Sequence, residues 1–497
     1  MRDGLILSID QGTTNTKALL VDRAGGSMFR IAAPVQLSVT AAGYVEQDAE
    51  ALWASVCTVI EESSRFASQA GKPIEAVAIS NQRETAVAWH ADTLEPLANA
   101  VSWQCGRGES ICNRLAGRAG EIRSKTGLPL APLISASKWG WLIENKRLVQ
   151  EAAAQGTLRL GTVDAWLMSK LTGGEAHATD LTNASRTGLL NLATLQWDSE
   201  LLAYFGVPLG SLPALRDSCG LFGHCSAIAE LEGVPILSAI GDSHGAMFGH
   251  GSYASGSIKA TYGTGSSLMA LTPSLIADAP KLARTIAWSI GGCTQFALEG
   301  NIAMTGSALQ WVGEFLGLAE PAKDAALLAA SVPDAAGIYF VPAMVGLGAP
   351  HWDAQARGTI SGLGRAHTAA HLARAAVDAI AYQVTDVLLA MERAASMRFT
   401  ELRADGGATR NDALMQFQAD ILGLPVQRSK EEELSALGAA WLAGLALGWW
   451  KSLGELSSLP QSHDSFVPQM TGDVRKRLYD GWSEAVAGAR MHRGVTP

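Results

Sequence analysis

The chain has 497 residues, more than one hydrophobic core usually organises, so two large domains are expected. Its 48% hydrophobic and 17% charged residues describe an ordinary soluble composition, and a formal net charge of −9 argues against a non-specific nucleic-acid surface, which needs clustered Lys and Arg. No apolar run reaches the ~18 residues of a membrane span, and the first apolar run is too short for a signal-peptide core. Six cysteines without a Cys-x-x-Cys pair are expected to be reduced thiols, and the cytoplasm is the expected compartment.

Residues 5–9 and 18–21 read as strands flanking a Gly-Thr turn, and 49–67 has a helical period. Strands are expected again at 74–80 and 85–89. Helical content is expected at 137–145 and at 158–171, the latter around a strand or turn at Gly161-Thr162. A second half begins near Met247, which divides the chain into domains 1–246 and 247–497. There 257–262, 267–271 and 295–298 read as strands. The segment 371–393 places Leu372, Ala376, Ile380, Val384 and Leu388 on one helical stripe, and 435–447 is an Ala- and Leu-rich helix. Glu431-Glu432-Glu433 ahead of it reads as a solvated helix start. The sum is an α/β protein with helices covering sheets.

Asp10-Gln11-Gly12-Thr13-Thr14 joins two strands by a tight turn. Such a turn exposes backbone N–H groups and hydroxyls to an anion, and an Asp at a strand end can hold Mg²⁺ through water. Lys17 adds a positive charge. Tyr262-Gly263-Thr264-Gly265-Ser266 repeats the pattern in the second half, as two jaws closing on a polyphosphate require. Asp405-Gly406-Gly407-Ala408 precedes a helix with Asn411 near its start, where Asn411 either caps the helix or bonds a purine edge. Neither a Gly-x-x-x-x-Gly-Lys-Ser/Thr loop nor the His-Arg-Asp and Asp-Phe-Gly pair of protein kinases is present.

These motifs resemble the FGGY family of carbohydrate kinases, and within it the members that phosphorylate glycerol. The likeness runs nearly end to end. It includes Asn81-Gln82-Arg83-Glu84-Thr85, Trp103-Gln104-Cys105, Gly241-Asp242, Ala297-Leu298-Glu299-Gly300, Met415-Gln416-Phe417-Gln418 and Ala436-Leu437-Gly438-Ala439-Ala440, with the family's second signature at 358–378. The resemblance implies two ribonuclease-H-like domains around a cleft, as in actin and hexokinase, with ATP and Mg²⁺ as cofactors. It implies Asp10 as the Mg²⁺-side carboxylate, and Thr13, Thr14 and Lys17 as phosphate contacts. Thr264, Gly265, Gly306, Gln310, Gly407, Ala408 and Asn411 are implied in nucleotide binding. Asp242 is implied as the general base, which orients the attacking hydroxyl in a transfer dominated by positioning and charge neutralisation. Arg83 and Glu84 match the polyol-binding pair, and Trp103 the apolar wall beside the carbon skeleton. Members of this family form dimers or tetramers, so self-association is an expectation from the resemblance alone.

Some pocket positions depart from the pattern. Leu133 stands for an aromatic, Ser243 for a glutamine and Ser267 for a phenylalanine, while Lys17 replaces an arginine and loses its bidentate fork. Each of the first three changes removes bulk or a polar contact. They lead to the expectation of a substrate larger than glycerol, a four- or five-carbon polyol or ketose, with glycerol itself as the alternative. An actin-like ATPase or scaffold is opposed by Arg83, Glu84, Trp103 and Asp242, which a nucleotide switch has no reason to assemble.

Overall fold

A computed structural model describes residues 4–491. The first half builds a five-stranded unit from β1 (Leu5–Gln11), β2 (Asn15–Val21), β3 (Ser27–Pro34), β4 (Ile74–Asn81) and, after β5 (Cys219–His224), β6 (Pro235–Gly241). Its order is β3-β2-β1-β4-β6, antiparallel across the two hairpins and parallel from β1 to β6. The second half repeats the plan with β7 (Ser257–Tyr262), β8 (Ser266–Thr272), β9 (Ala283–Ile290), β10 (Cys293–Ile302), β11 (Glu401–Asp405), β12 (Val426–Ser429) and β13 (His463–Phe466). The order β10-β8-β7-β11-β12 carries the same senses of pairing. The expected echo between the two Gly/Thr hairpins is therefore a repeat of topology. β5 and β9 join the two units into one sheet through the single pair Cys219↔Ile290.

Strand β1 is apolar on both faces because both faces are covered. Leu5, Leu7 and Ile9 meet Leu52, Val56 and Val59 of α1 (Ala49–Gln69), whose first turn is capped by the Asp48 carboxylate. Ile6 points the other way, into a core that holds Ala246–Phe248 of α3 (Asp242–Gly249), while α2 (Ser135–Asn145) lies between α1 and α3 along the chain. β8 shows the same two-sided burial. Leu268 and Ala270 meet α5 (Ala369–Ala395), which comes after α4 (Gly306–Phe315), while Met269 and Leu271 enter the core shared with Ile6. That central core is closed by α7 (Leu434–Ala446), which follows α6 (Asp412–Leu422) and lies against the first half's sheet although it belongs to the second half in sequence.

Elements with clear periodicity fall close to expectation, including α1, α5 and α7. The stretch 158–171 divides into a strand, Leu158–Gly161, and a helix, Val163–Leu171. The expected strand at 85–89 begins only at Val87, because Arg83–Thr85 form a turn with Glu84 at φ 61°. Strand β3 is an edge strand that alternates weakly and leaves most of its side chains to solvent.

Candidate active site

Strand β1 ends near Asp10, and Asp242 opens α3 directly after β6. Because β1, β4 and β6 are parallel, both carboxylates emerge at the same sheet edge, and they line one cavity of about 670 Å³. Lys17, Ser243, Asp405 and Gly407 also line it, so both halves contribute walls. Gly406 sits at φ 96°, where a Cβ would lie 2.5 Å from the Tyr262 carbonyl oxygen, so only glycine lets this loop close on β7.

Asp10 Oδ1 is buried without a hydrogen-bond partner among the described residues. Burial first, and then the charge of Asp242, push its carboxyl up to about 6. Such a carboxylate gains from a cation. No cluster of three metal-ligating side chains exists among the described residues. The donor set fits Mg²⁺, which is usually held by one or two carboxylates with waters and substrate phosphates. Asp242 is fixed on several sides: its Oδ1 accepts the Ser243 N–H at 2.6 Å, and its carbonyl accepts the Ser435 hydroxyl at 2.9 Å. Arg83 Nε stands 3.0 Å from Asp242 Oδ1 as an ion pair.

From Arg83 a buried chain of charges runs inward. Arg83 Nη1 donates to Glu299 Oε1 at 2.6 Å, and Arg186 Nε donates to Glu84 Oε1 at 2.7 Å. Arg186 Nη1 lies 2.8 Å from Glu299 Oε2, an ion pair without hydrogen-bond alignment. The Ser267 hydroxyl donates to Glu299 Oε1 at 3.3 Å. Burial opposes the charge on Glu299, yet Arg186 and Arg83 hold its carboxyl well below the usual range. Burial likewise opposes the Arg83 charge, and Glu299, Glu84 and Asp242 keep it protonated. The Glu84 carbonyl accepts from Ser135 Oγ at 3.1 Å and from Lys138, which also donates to the Leu133 carbonyl. Burial lowers the Lys138 ammonium to about 7.

Of the expected residues, Asp10, Lys17, Asp242, Ser243 and Gly407 line the cavity. Arg83, Glu84 and Ser267 connect to it through the charge chain. Thr13 and Trp103 are bonded to each other, Trp103 Nε1 donating to Thr13 Oγ1 at 2.9 Å. Thr14, Leu133, Thr264, Gly265, Gly306, Gln310, Ala408 and Asn411 do not line it. Gly306 is packed under the second hairpin, its N–H on the Gly263 carbonyl at 3.0 Å, and Gln310 bonds Glu314 along α4. Asn411 caps α6 by accepting the Leu414 N–H at 3.1 Å, the capping alternative raised by the sequence. Glu431-Glu432-Glu433 is no merely solvated helix start. Glu433 takes Lys17 Nζ at 2.7 Å, and Glu432 pairs with Arg30 and Arg410. Arg186 and Glu299 carry no role in the sequence reading. Their signal is an isolated charge in a small or apolar run, which must find a partner once buried.

The halves match the models of the N-terminal domain of the FGGY family of carbohydrate kinases over residues 5–249 and of its C-terminal domain over 258–447. The chain belongs to the FGGY family of carbohydrate kinases. It is 43% identical over 493 residues to a glycerol kinase of Burkholderia ambifaria, covering 99% of each chain, and equally so to one of Symbiobacterium thermophilum. Among solved structures it is similar to Plasmodium falciparum glycerol kinase with ADP, at 31% identity, a TM-score of 0.93 and 98% of each chain. A ligand-bound xylulose kinase from Lactobacillus acidophilus gives 25% identity and a TM-score of 0.88 over 99% of each. The fold is thus the pair of ribonuclease-H-like domains of this family. The enzyme is a phosphotransferase with an alcohol acceptor, and ATP and Mg²⁺ are the family's cofactors. No helix among the described residues is long and apolar enough to cross a membrane.

Proposed function

We propose that this FGGY kinase transfers the γ-phosphate of ATP to glycerol. The observation that carries the reading is the Arg83–Asp242 ion pair at the wall of the cavity shared by Asp10, Lys17 and Gly407. Asp242 orients the acceptor hydroxyl and takes its proton as the phosphoryl group departs from ADP. Arg83 and Glu84 offer a donor and an acceptor to neighbouring hydroxyls, and Trp103, 37% exposed, offers an apolar wall. Asp10 would hold Mg²⁺, which supplies charge neutralisation on the phosphates. Lys17, Thr13 and Thr14 would contact the phosphates from the first half, and Thr264, Gly265, Gly306, Gln310, Gly407, Ala408 and Asn411, the last through the amide nitrogen that its cap leaves over, would hold the nucleotide from the second. This division of labour corresponds to domains 1–246 and 247–497.

The full-length glycerol kinase relatives favour the three-carbon substrate over the larger one that the pocket departures suggest. A four- or five-carbon polyol or ketose is the second reading, because Leu133, Ser243 and Ser267 stand where the family's pattern has an aromatic, a glutamine and a phenylalanine. A coupled ADP-release screen across glycerol, erythritol, threitol, xylitol, ribitol, arabinitol, xylulose and ribulose decides between them. The highest kcat/KM is expected for glycerol, and a higher value for a four- or five-carbon compound overturns that choice. Asp242→Asn is expected to lower kcat by about 10²–10⁴-fold. Retained turnover in that variant removes Asp242 from the base role. We place the enzyme in the cytoplasm, which supplies ATP and suits six cysteines without a disulfide. Dimers or tetramers rest on family resemblance, and light scattering measures them.

A further inference from the structure

We infer that Glu299, supplied by the second half, is a positioning residue of the polyol site that aims Arg83 directly and Glu84 through Arg186. The inference rests on the polyol-kinase reading above. Asp242, Arg83, Glu299, Arg186 and Glu84 form an alternating row of charges with successive N···O separations of 3.0, 2.6, 2.8 and 2.7 Å. Glu299 is fully buried, and Arg186 and Glu84 are 2% and 5% exposed. A guanidinium there cannot leave one carboxylate without stranding a charge in a low-dielectric interior, so each is held from two sides. Both Glu299 oxygens are committed to arginines, so Glu299 does not itself reach for substrate.

The row leaves hydrogen-bonding groups free on Arg83 and Glu84. Arg83 spends Nε on Asp242 and Nη1 on Glu299, and Glu84 spends Oε1 on Arg186. Among the described residues Arg83 Nη2 and Glu84 Oε2 make no protein hydrogen bond, and neither belongs to the buried unpartnered atoms. The Nη2 amino group and one carboxylate oxygen therefore remain, at an orientation set from the far end by Glu299. Glu299 lies on β10, whereas Arg83, Glu84 and Arg186 come from the first half. Ser267, one of the pocket departures, adds its hydroxyl to the same Glu299 oxygen.

The test is steady-state kinetics of full-length Glu299→Gln and Arg186→Lys with the preferred polyol and Mg-ATP, paired with a ligand-free crystal structure of Glu299→Gln. The polyol KM is expected to rise by about tenfold or more while the Mg-ATP KM stays within about twofold. Glu299→Asp is expected to recover part of the loss. In the crystal, Arg83 is expected to leave its position beside Asp242. A merely structural role lowers the active fraction, reducing kcat with both KM values unchanged, and that result in either folded variant overturns the inference. So does an Arg83 that keeps its ion pair in Glu299→Gln. Should Glu299→Gln fail to fold, Arg186→Lys, which keeps the charge, decides alone. A wild-type enzyme that phosphorylates no polyol overturns the functional reading instead, and the Arg83 position still decides whether Glu299 fixes it.

Discussion

Lys17 donates to Glu433 at 2.7 Å, so a phosphate that is to use this ammonium must first displace a carboxylate from the other half. The pair is part-exposed, with Lys17 at 36% and Glu433 at 11%, which limits the competition to about 1 kcal/mol. Glu433→Gln is therefore expected to lower the Mg-ATP KM by about threefold to tenfold, with the polyol KM little changed. An unchanged or higher Mg-ATP KM in that variant discards the idea. The same pair shows what a sequence reveals about a residue. Asp10, Arg83, Glu84 and Asp242 are singled out by the sequence because each sits in a short motif whose neighbours announce it. The role of Glu433 does not show in its neighbours because its partner lies 416 positions away. Arg186 and Glu299, 113 positions apart by number, went without a role for the same reason.

At the scale of elements, α3 and α7 touch backbone to backbone. A Cβ on Gly245 would lie 2.7 Å from the Ser435 carbonyl oxygen, one on Gly249 2.4 Å from that of Leu434, and one on Gly438 2.0 Å from that of Gly245. These contacts are with main chain, which cannot rotate aside. The approach matters for chemistry because Asp242 is the first residue of α3 and Ser435, in the first turn of α7, bonds its carbonyl. Gly438→Ala is expected to push the helices apart, cost about 1–3 kcal/mol of stability and reduce kcat about 10²-fold through displacement of Asp242. Gly488→Ala, on α8 (Gly472–Met491) with open space around the added methyl, is the control expected to leave kcat unchanged. Equal melting temperatures and kcat for Gly438→Ala and wild type would remove the close contact from the account. The helices themselves were legible from their period. Strands β3, β5, β6, β9, β11, β12 and β13 have no counterpart among the expected strands: β3 is largely solvent-facing, and β11, β12 and β13 are only five, four and four residues long.

At the scale of the whole molecule, a duplicated topology invites the view of two units that fold and melt apart. The packing opposes it. The central core takes Ile6, Ala76 and Ile240 from the first half, Met269 and Trp288 from the second, and the whole inner face of α7. Polar ties accompany that packing: Ser8 Oγ donates to the Ala436 carbonyl at 2.6 Å, Ser238 Oγ to that of Ala439 at 2.8 Å, and Trp441 Nε1 to that of Gly25 at 3.1 Å. Unfolding the second half strips α7 from the first half's sheet and exposes the apolar face that α7 covers. It also strands Arg83 and Arg186 without Glu299. The hairpin echo made duplication legible, but nothing local in the sequence says that α7 crosses over, because its apolar face suits either sheet. The expected outcome in scanning calorimetry is one transition with matching calorimetric and van't Hoff enthalpies, unlike most chains of this length. Saturating Mg-ADP with polyol is expected to move that whole transition upward, by about 2.7 kcal/mol of stability at a hundredfold excess over Kd. Two resolved transitions, only one of them shifted by ligand, would mean that the halves melt independently and that the shared core does not couple them.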